Sequence, residues 1–270
     1  MKEIPWQIIL FKKSFKKKEK LKLINKYFRI NPDSIILDLG CSQGTISYFL
    51  KKNGGRWVHV DFDQLNIKNA KSILKENIVR ISEDKIPFLS NSFDVVICLD
   101  YLEHLENDEI CLREVFRILK PGSKFLISTP ATGKFFLINK LRKLLGMKPE
   151  IYGHKREGYT TKELKEKLKK NGFEILVFDT YSKFFTELIE LFLNFLYTKL
   201  ISKKKSIKSR IGLISPSSET EIKEHGKFFK FYSFLYPILL LITKFDKLLF
   251  FKKGYANLIL AEKKWNLEKK

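Results

Sequence analysis

The chain has 270 residues, of which 52 are Lys or Arg and 30 are Asp or Glu, giving a formal charge of +22 at pH 7. With 44% apolar and 30% charged residues it can bury a sizeable core, which excludes wholesale disorder, and the length suits one domain of about 200 residues with an insertion, or two small ones. The cysteines Cys41, Cys98 and Cys111 form no CxxC pair, which argues against a disulfide framework or a thiolate zinc site and suits a reducing, cytoplasmic compartment.

The apolar run from Ile4 to Phe11 is interrupted by Pro5 and Gln7 and followed at once by lysines, a poor match to a signal peptide. From Phe15 to Ile30 the apolar residues Leu21, Ile24 and Phe28 fall at i, i+3, i+7, which predicts a covering helix. After the turn cluster Asn31-Pro32-Asp33-Ser34 comes Ile35-Ile36-Leu37 ending in Asp38, too short for a helix and apolar on both faces, hence a buried parallel strand. The pattern recurs at Trp57 to Val60 ending in Asp61, at Phe93 to Leu99 ending in Asp100, and at Lys124 to Ser128. Helical stretches separate these runs at Thr45 to Lys52, Leu65 to Lys75 and Asp108 to Leu119, the last closed by Lys120-Pro121-Gly122.

Thr160 and Glu163 form a capping box for a helix from Lys162 to Lys170, followed by a strand from Phe173 to Phe178. A last strand is expected from Tyr255 to Ala261. About 75 residues separate these two strands, far more than an ordinary connection, so an insertion is expected there, with apolar helices at Phe184 to Ile201 and Phe228 to Phe251 and a lysine-rich stretch at Ser202 to Gly226. The longest apolar run, Phe231 to Thr243, contains Pro237 and at about 13 residues falls short of the ~20 a spanning helix needs, so no transmembrane segment is expected. The whole pattern predicts an α/β fold: a doubly wound, mostly parallel sheet with a helical insertion before the last strand. The expected division is 1–30, a covering helix; 31–180, the core; 181–253, the basic and apolar insertion; and 254–270, the last strand and tail.

The stretch from Ile35 to Gly44, ending in DLGCSQG, runs from a strand through an acidic end and two glycines into a helix, and so brings backbone N–H groups close to a ligand. Gly40, Ser42 and Gly44 make that approach. Seventeen residues beyond Gly44 stands Asp61, at the end of the next strand, an acceptor suited to two vicinal ribose hydroxyls. The pair predicts nucleoside binding. The loop lacks the G-x-G-x-x-G of a nicotinamide dehydrogenase.

These segments, ILDLGCSQG, WVHVDFD, SEDKIPFLSNSFDVVICLDYLEHL and REVFRILKPGSKFLISTP, resemble in order and spacing the class I S-adenosylmethionine-dependent methyltransferases of the small-molecule group called type 11, with a Rossmann-like fold. The resemblance implies S-adenosyl-L-methionine as cofactor, Asp38 near its methionine amino group, Asp61 at the ribose, Phe62 beside the adenine, and Leu99 lining the site. The family commonly has Gly where Ser42 stands, and often Asp where Ser82 stands; Glu83 or Asp84 would then read the adenine amino group.

Methyl transfer is an in-line displacement, so alignment and exclusion of water come first, and a base is needed only for a protonated nucleophile. Asp100, Tyr101, Glu103 and His104, where ligands of such sheets collect, are the catalytic candidates, with His104 ranked first. The adjacent pair Glu103-His104 has no evident third ligand, so no metal is expected. By the same resemblance, His154, Arg156 and Tyr159, ahead of the capped helix, fall in a substrate lid.

Three segments combine apolar clusters with Lys or Arg: Lys134 to Leu145, Phe184 to Ile201 with the SKKKSIKSR that follows, and Phe228 to Lys253. Each reads as an interfacial helix, suited to a peripheral place on the cytosolic membrane face, or as a member of an all-helical lid. The expected activity is methyl transfer to a small molecule: a lipid, a quinone precursor or a lipid-linked sugar. RNA methylation is the rival, although no RNA-binding module is evident and the aromatics sit in aliphatic runs. A non-catalytic membrane scaffold on the cofactor fold is the third reading.

Overall fold

Ile36, Leu37 and Leu39 are fully buried because β1 (Ile35–Leu39) lies in the middle of the sheet with helices on both faces. The computed structural model describes residues 4–83, 85–134, 136–198 and 219–265. β2 (Arg56–Asp61), β3 (Ile78–Arg80), β4 (Phe93–Leu99), β5 (Leu119–Pro130), β6 (Phe173–Tyr181) and β7 (Ala256–Lys263) complete a sheet of order β3-β2-β1-β4-β5-β7-β6. β1 to β5 pair parallel, while β7 runs antiparallel to both β5 and β6. This is the doubly wound, mostly parallel sheet that the alternating runs indicate.

Side-chain alternation along β4 divides the core. Val96 and Cys98 pack with Leu112 and Val115 of α5 (Asp108–Ile118) and Leu164 and Leu168 of α7 (Thr161–Lys170). Val95 and Ile97 pack on the opposite face with Ile24 of α2 (Phe15–Tyr27) and Leu50 of α3 (Thr45–Leu50). Local chemistry sets the helix starts: Asp63 caps α4 (Gln64–Leu74) through the N–H of Asn66, and Asn107 caps α5 through that of Ile110. Thr160 accepts from the N–H of Glu163, but the Glu163 carboxylate goes to Arg156, so only half of the expected capping box forms.

Some elements differ from expectation. The amino-terminal apolar run forms α1 (Trp6–Lys12), which buries Ile8 and Phe11 and is tied down by Gln7, whose amide donates to the Asn69 carbonyl and the Ser72 hydroxyl. The short strand β3 is additional. β5 starts at Leu119 and absorbs Lys120-Pro121-Gly122, because the chain pairs with Phe93 there and slips register before Val95 pairs with Lys124.

The long connection holds α8 (Phe184–Leu196), α9 (Glu219–Glu224) and α10 (Gly226–Lys244), with α6 (Leu137–Leu144) contributed from after β5. The lysine-rich stretch up to residue 218, the end of the first insertion helix expected at 199–201, Phe135 and Asp84 lie outside the described residues. With the 3₁₀ turn Phe245–Leu249, α10 makes a helix from Gly226 to Leu249 that is long and apolar enough to cross a membrane by length and composition. This corrects the length expected from Phe231–Thr243 alone: the helix runs through Pro237 and past Lys230 and Lys244, which bound that run.

Candidate functional site

β1 and β2 end side by side, and their acids mark the glycine-loop end of the site. Asp38 contacts His59 Nδ1 at 2.8 Å and accepts a hydrogen bond from the Ser47 hydroxyl. Asp61 accepts from the backbone N–H groups of Ser42 and Asp63, at 2.8 and 2.9 Å, and from the Asn66 amide. Burial pushes the Asp61 carboxyl up, against these hydrogen bonds. Gly40, Ser42 and Gly44 all have positive φ, so Ser42 adopts the left-handed conformation that glycine takes without strain. A Cβ on Gly40 would collide with the Tyr101 ring, which lies directly on the loop.

Tyr101 therefore packs the loop against the end of β4, and its ring stands 5.9 Å from that of the half-buried Phe62. Its hydroxyl is buried without a hydrogen-bond partner among the described residues. Leu99 is half-buried at the end of β4, whereas Ser82 and Glu83 are exposed in the turn after β3.

Past Leu99 the chain turns outward. Asp100 accepts from the Ser128 hydroxyl at 2.7 Å and forms an ion pair with Lys20 of α2. Burial works upward on its carboxyl, but Lys20 and Lys16 outweigh it and hold it well below the usual range, which leaves a weak base. Glu103 contrasts with it. Its carboxyl is fully buried, neither oxygen has a hydrogen-bond partner among the described residues, and burial together with Asp100 pushes it far up. His104 Nδ1 lies 2.9 Å from the Gly153 carbonyl, which can only accept, so Nδ1 carries the proton and Nε2 is left as an acceptor. The His154 ring stands edge-on to that of His104, with centroids 4.7 Å apart. Burial, then His104, push His154 down to about 3, so it is neutral.

Asp100, Glu103 and His154 line a cavity of about 250 Å³, closed by α2, α6 and α8. On its far wall the buried Glu187 carboxylate pairs with Lys16 at 2.7 Å and with Arg142, and accepts from Ser182. Burial alone would raise it; Lys16 and Arg142 hold it at about 2. α6 and α8 meet over Ile138, Met147, Leu191 and Tyr255, which packs both against the cavity. Glu187, Glu190 and Asn194 give α8 a polar stripe facing the cavity at i, i+3, i+7, a signal present in the sequence but hidden inside an apolar run.

Of the three residues expected at the substrate, only His154 lines this cavity. Tyr159 is fully buried and donates to Asp108 at 2.6 Å; Arg156 stacks on its ring and pairs with Asp108 and Glu163. Both are thus corrected to anchors of the segment before α7, their polar groups consumed by that cluster. No metal is expected from the sequence, yet His154 brings a third donor to Glu103 and His104, with one ligand atom from each lying within 4.8 Å of the others.

A methyltransferase domain family matches residues 37–127, from within β1 to within β5. The chain is 31% identical over 155 residues to a ubiquinone biosynthesis O-methyltransferase of Rickettsia canadensis, an alignment covering 52% of this chain and 62% of the relative. A ubiquinone biosynthesis O-methyltransferase of Rickettsia bellii is 30% identical over 159 residues, covering 56% and 66%. The chain thus spans less than two thirds of either relative. Among solved structures, an S-adenosylmethionine-dependent methyltransferase from Archaeoglobus fulgidus superposes with a TM-score of 0.57 at 19% identity, covering 96% of this chain and all of that one. One from Methanosarcina mazei gives 0.53 at 18%, covering 90% and 97%.

Residues 37–127 thus match a methyltransferase domain, and the fold is the one shared by S-adenosylmethionine-dependent methyltransferases. The cofactor of this methyltransferase family is S-adenosylmethionine, and the donor set fits it. A buried carboxylate with acceptor capacity left suits the ribose diol, the Phe62 ring lies beside it in sequence to cover a base, and the Tyr101 ring lies on the glycine loop at the same end of the fold.

Proposed function

We propose that this methyltransferase transfers a methyl group to a small-molecule acceptor bound in the cavity above β4 and β5, and that the acceptor is a lipid, a quinone precursor or a lipid-linked sugar met at a membrane surface. The observation that carries this reading is the shared segment Leu99 to Glu103: Tyr101 packs on the glycine loop while Asp100 and Glu103 line the cavity, so one turn separates cofactor from acceptor. The relatives named for ubiquinone biosynthesis favour oxygen as the methylated atom.

The cofactor supplies an electrophilic methyl group on a sulfonium. Asp61 binds the ribose, Asp38 serves the methionine end through the loop, and Phe62 and Leu99 flank the nucleoside. Glu103 and His154 orient the acceptor; His104 does not line the cavity but stands behind His154 with its Nδ1 proton held by Gly153, and its Nε2 would receive the proton that the acceptor oxygen loses as it gains the methyl group. α6 and α8 exclude water.

The test is incubation of the purified chain with methyl-labelled S-adenosylmethionine and, separately, a total lipid extract, a panel of phenolic quinone precursors, and bulk RNA. Label entering the organic phase supports the reading. Label entering only RNA, or none entering any acceptor while the cofactor binds, would overturn it.

A further inference from the structure

α10 has two unlike faces. Toward the body, the Tyr232 hydroxyl donates to the Lys13 carbonyl, the Tyr236 hydroxyl accepts from Lys18 at 2.7 Å, and the Tyr236 ring stacks on Phe15. Beyond its end the buried Asp246 accepts from the N–H groups of Phe185 and Thr186 at 2.8 and 3.0 Å, capping α8. The helix is thus fastened to the body along its length, from Tyr232 to Asp246.

The outer face carries Phe231, Phe234, Ile238, Leu241, Phe245 and Leu248, spaced 3, 4, 3, 4, 3, and every one is more than half exposed; Phe250 and Phe251 extend it. Six lysines stand exposed within or beside this stripe, Lys227, Lys230, Lys244, Lys247, Lys252 and Lys253, and the acid in the same stretch, Asp246, is turned inward. An apolar stripe this long is rarely left to water. Basic residues flanking it match an anionic surface, with their stems along the apolar boundary and their heads in the headgroups.

We infer that α10 and the turn after it lie in the plane of an anionic lipid surface, with the Phe231 to Leu248 stripe immersed and the Tyr232 to Asp246 side holding the enzyme body against the headgroups. A spanning arrangement would have to carry the Tyr232, Tyr236 and Asp246 partners into hydrocarbon or break them. This inference deepens the membrane-surface part of the proposed function and rests on it. It adds a route for the acceptor, since α8, held between α10 and the cavity, turns Glu187 and Glu190 inward while Leu188 and Phe192 remain exposed.

The experiment uses the full chain with vesicles of phosphatidylcholine alone or mixed with phosphatidylglycerol. Co-sedimentation is expected with the mixed vesicles only, weakening as salt is added, and should fall about tenfold in the double variant Phe234→Glu, Leu248→Glu. Depth is read from fluorophores on Phe234→Cys and Leu248→Cys, the native cysteines being buried. Along a helix these sites are about 21 Å apart, and in-plane binding requires that shallow nitroxide lipids quench both more than deep ones. Unequal depths would show a spanning helix and overturn the inference, as would absence of vesicle binding, with or without self-association that the double variant abolishes. Calorimetric titration of each variant with S-adenosylmethionine separates the outcomes: unchanged affinity without vesicle binding removes the surface and leaves the methyltransferase reading standing.

Discussion

Lys20, on the helix that covers the Val95 and Ile97 face of the sheet, reaches the carboxyl end of β4 and pairs with Asp100. The contact joins the covering helix to the wall of the acceptor cavity, and it makes Asp100 a fixed negative charge instead of a proton carrier. A carboxyl held low in the folded state contributes stability that is present above its unfolded value, near 4, and is lost as pH falls toward the folded one.

Lys20→Met should therefore destabilise the protein at neutral pH by about 1 to 2 kcal/mol. The figure is modest because Asp100 keeps the Ser128 hydroxyl and about a third of its side chain remains in water. The difference between variant and parent should shrink below pH 4, where the pair is being lost in both. Urea midpoints at pH 7 and pH 3 check this; an equal deficit at both would assign the effect to the lysine stem.

Glu103 is a buried carboxyl without a hydrogen-bond partner among the described residues, an arrangement that costs stability. Glu103→Gln and Glu103→Leu should raise stability by about 1 kcal/mol while lowering turnover about a hundredfold, the signature of a group retained for its chemistry. Thermal melts and initial rates on the same preparations measure both. A loss of stability in both variants would make Glu103 a structural residue.

Asp61 organises the loop as well as offering its carboxylate to a ligand, since the Ser42 N–H has its oxygen as acceptor. Asp61→Ala should weaken S-adenosylmethionine binding by about 1.5 to 3 kcal/mol, roughly ten- to a hundredfold and more, because hydrogen bonds to a charged group are lost. The demethylated product, which shares the nucleoside, should lose as much. Unchanged calorimetric affinity for both would move the ribose elsewhere.

The glycine loop and the strand-end acids were legible because each is a local event, an apolar strand stopped by a polar end, and parallel pairing of β1 with β2 then sets Asp38 and Asp61 at the same edge. The cavity wall was not. His154 meets His104 across fifty residues of chain, and Arg142 meets Glu187 across forty-five. No periodicity encodes such pairings. The same blindness assigned Arg156 and Tyr159 to substrate, although Asp108, on another helix, had already claimed both. The charged, apolar helices carried a true ambiguity between packing and an interface, and they differ in the fold: α6 and α8 bury a shared apolar contact, while α10 leaves its apolar stripe outside.

His154 offers the last test because burial and His104 set its folded value, about 3, well below the unfolded one. Between those values the unfolded chain binds a proton that the folded chain refuses, so His154 contributes stability that rises with pH across roughly pH 3 to 6.5, with a slope approaching one proton, or up to about 1.4 kcal/mol per pH unit. Asp100 and Glu187 act in the same direction but below pH 4.5, whereas the raised carboxyls of Glu103 and Asp61 give the opposite slope above it, so the histidine's share is the difference between parent and variant from pH 5 to 6.5. His154→Gln should flatten the curve there while leaving the acidic limb unchanged. Unfolding free energies from denaturant titrations, taken in chelator so that no bound ion competes with the proton, give the slope directly. An undiminished slope in the variant would show that His154 is protonated as readily in the folded protein as in the unfolded chain, and that the closed lid around it admits water.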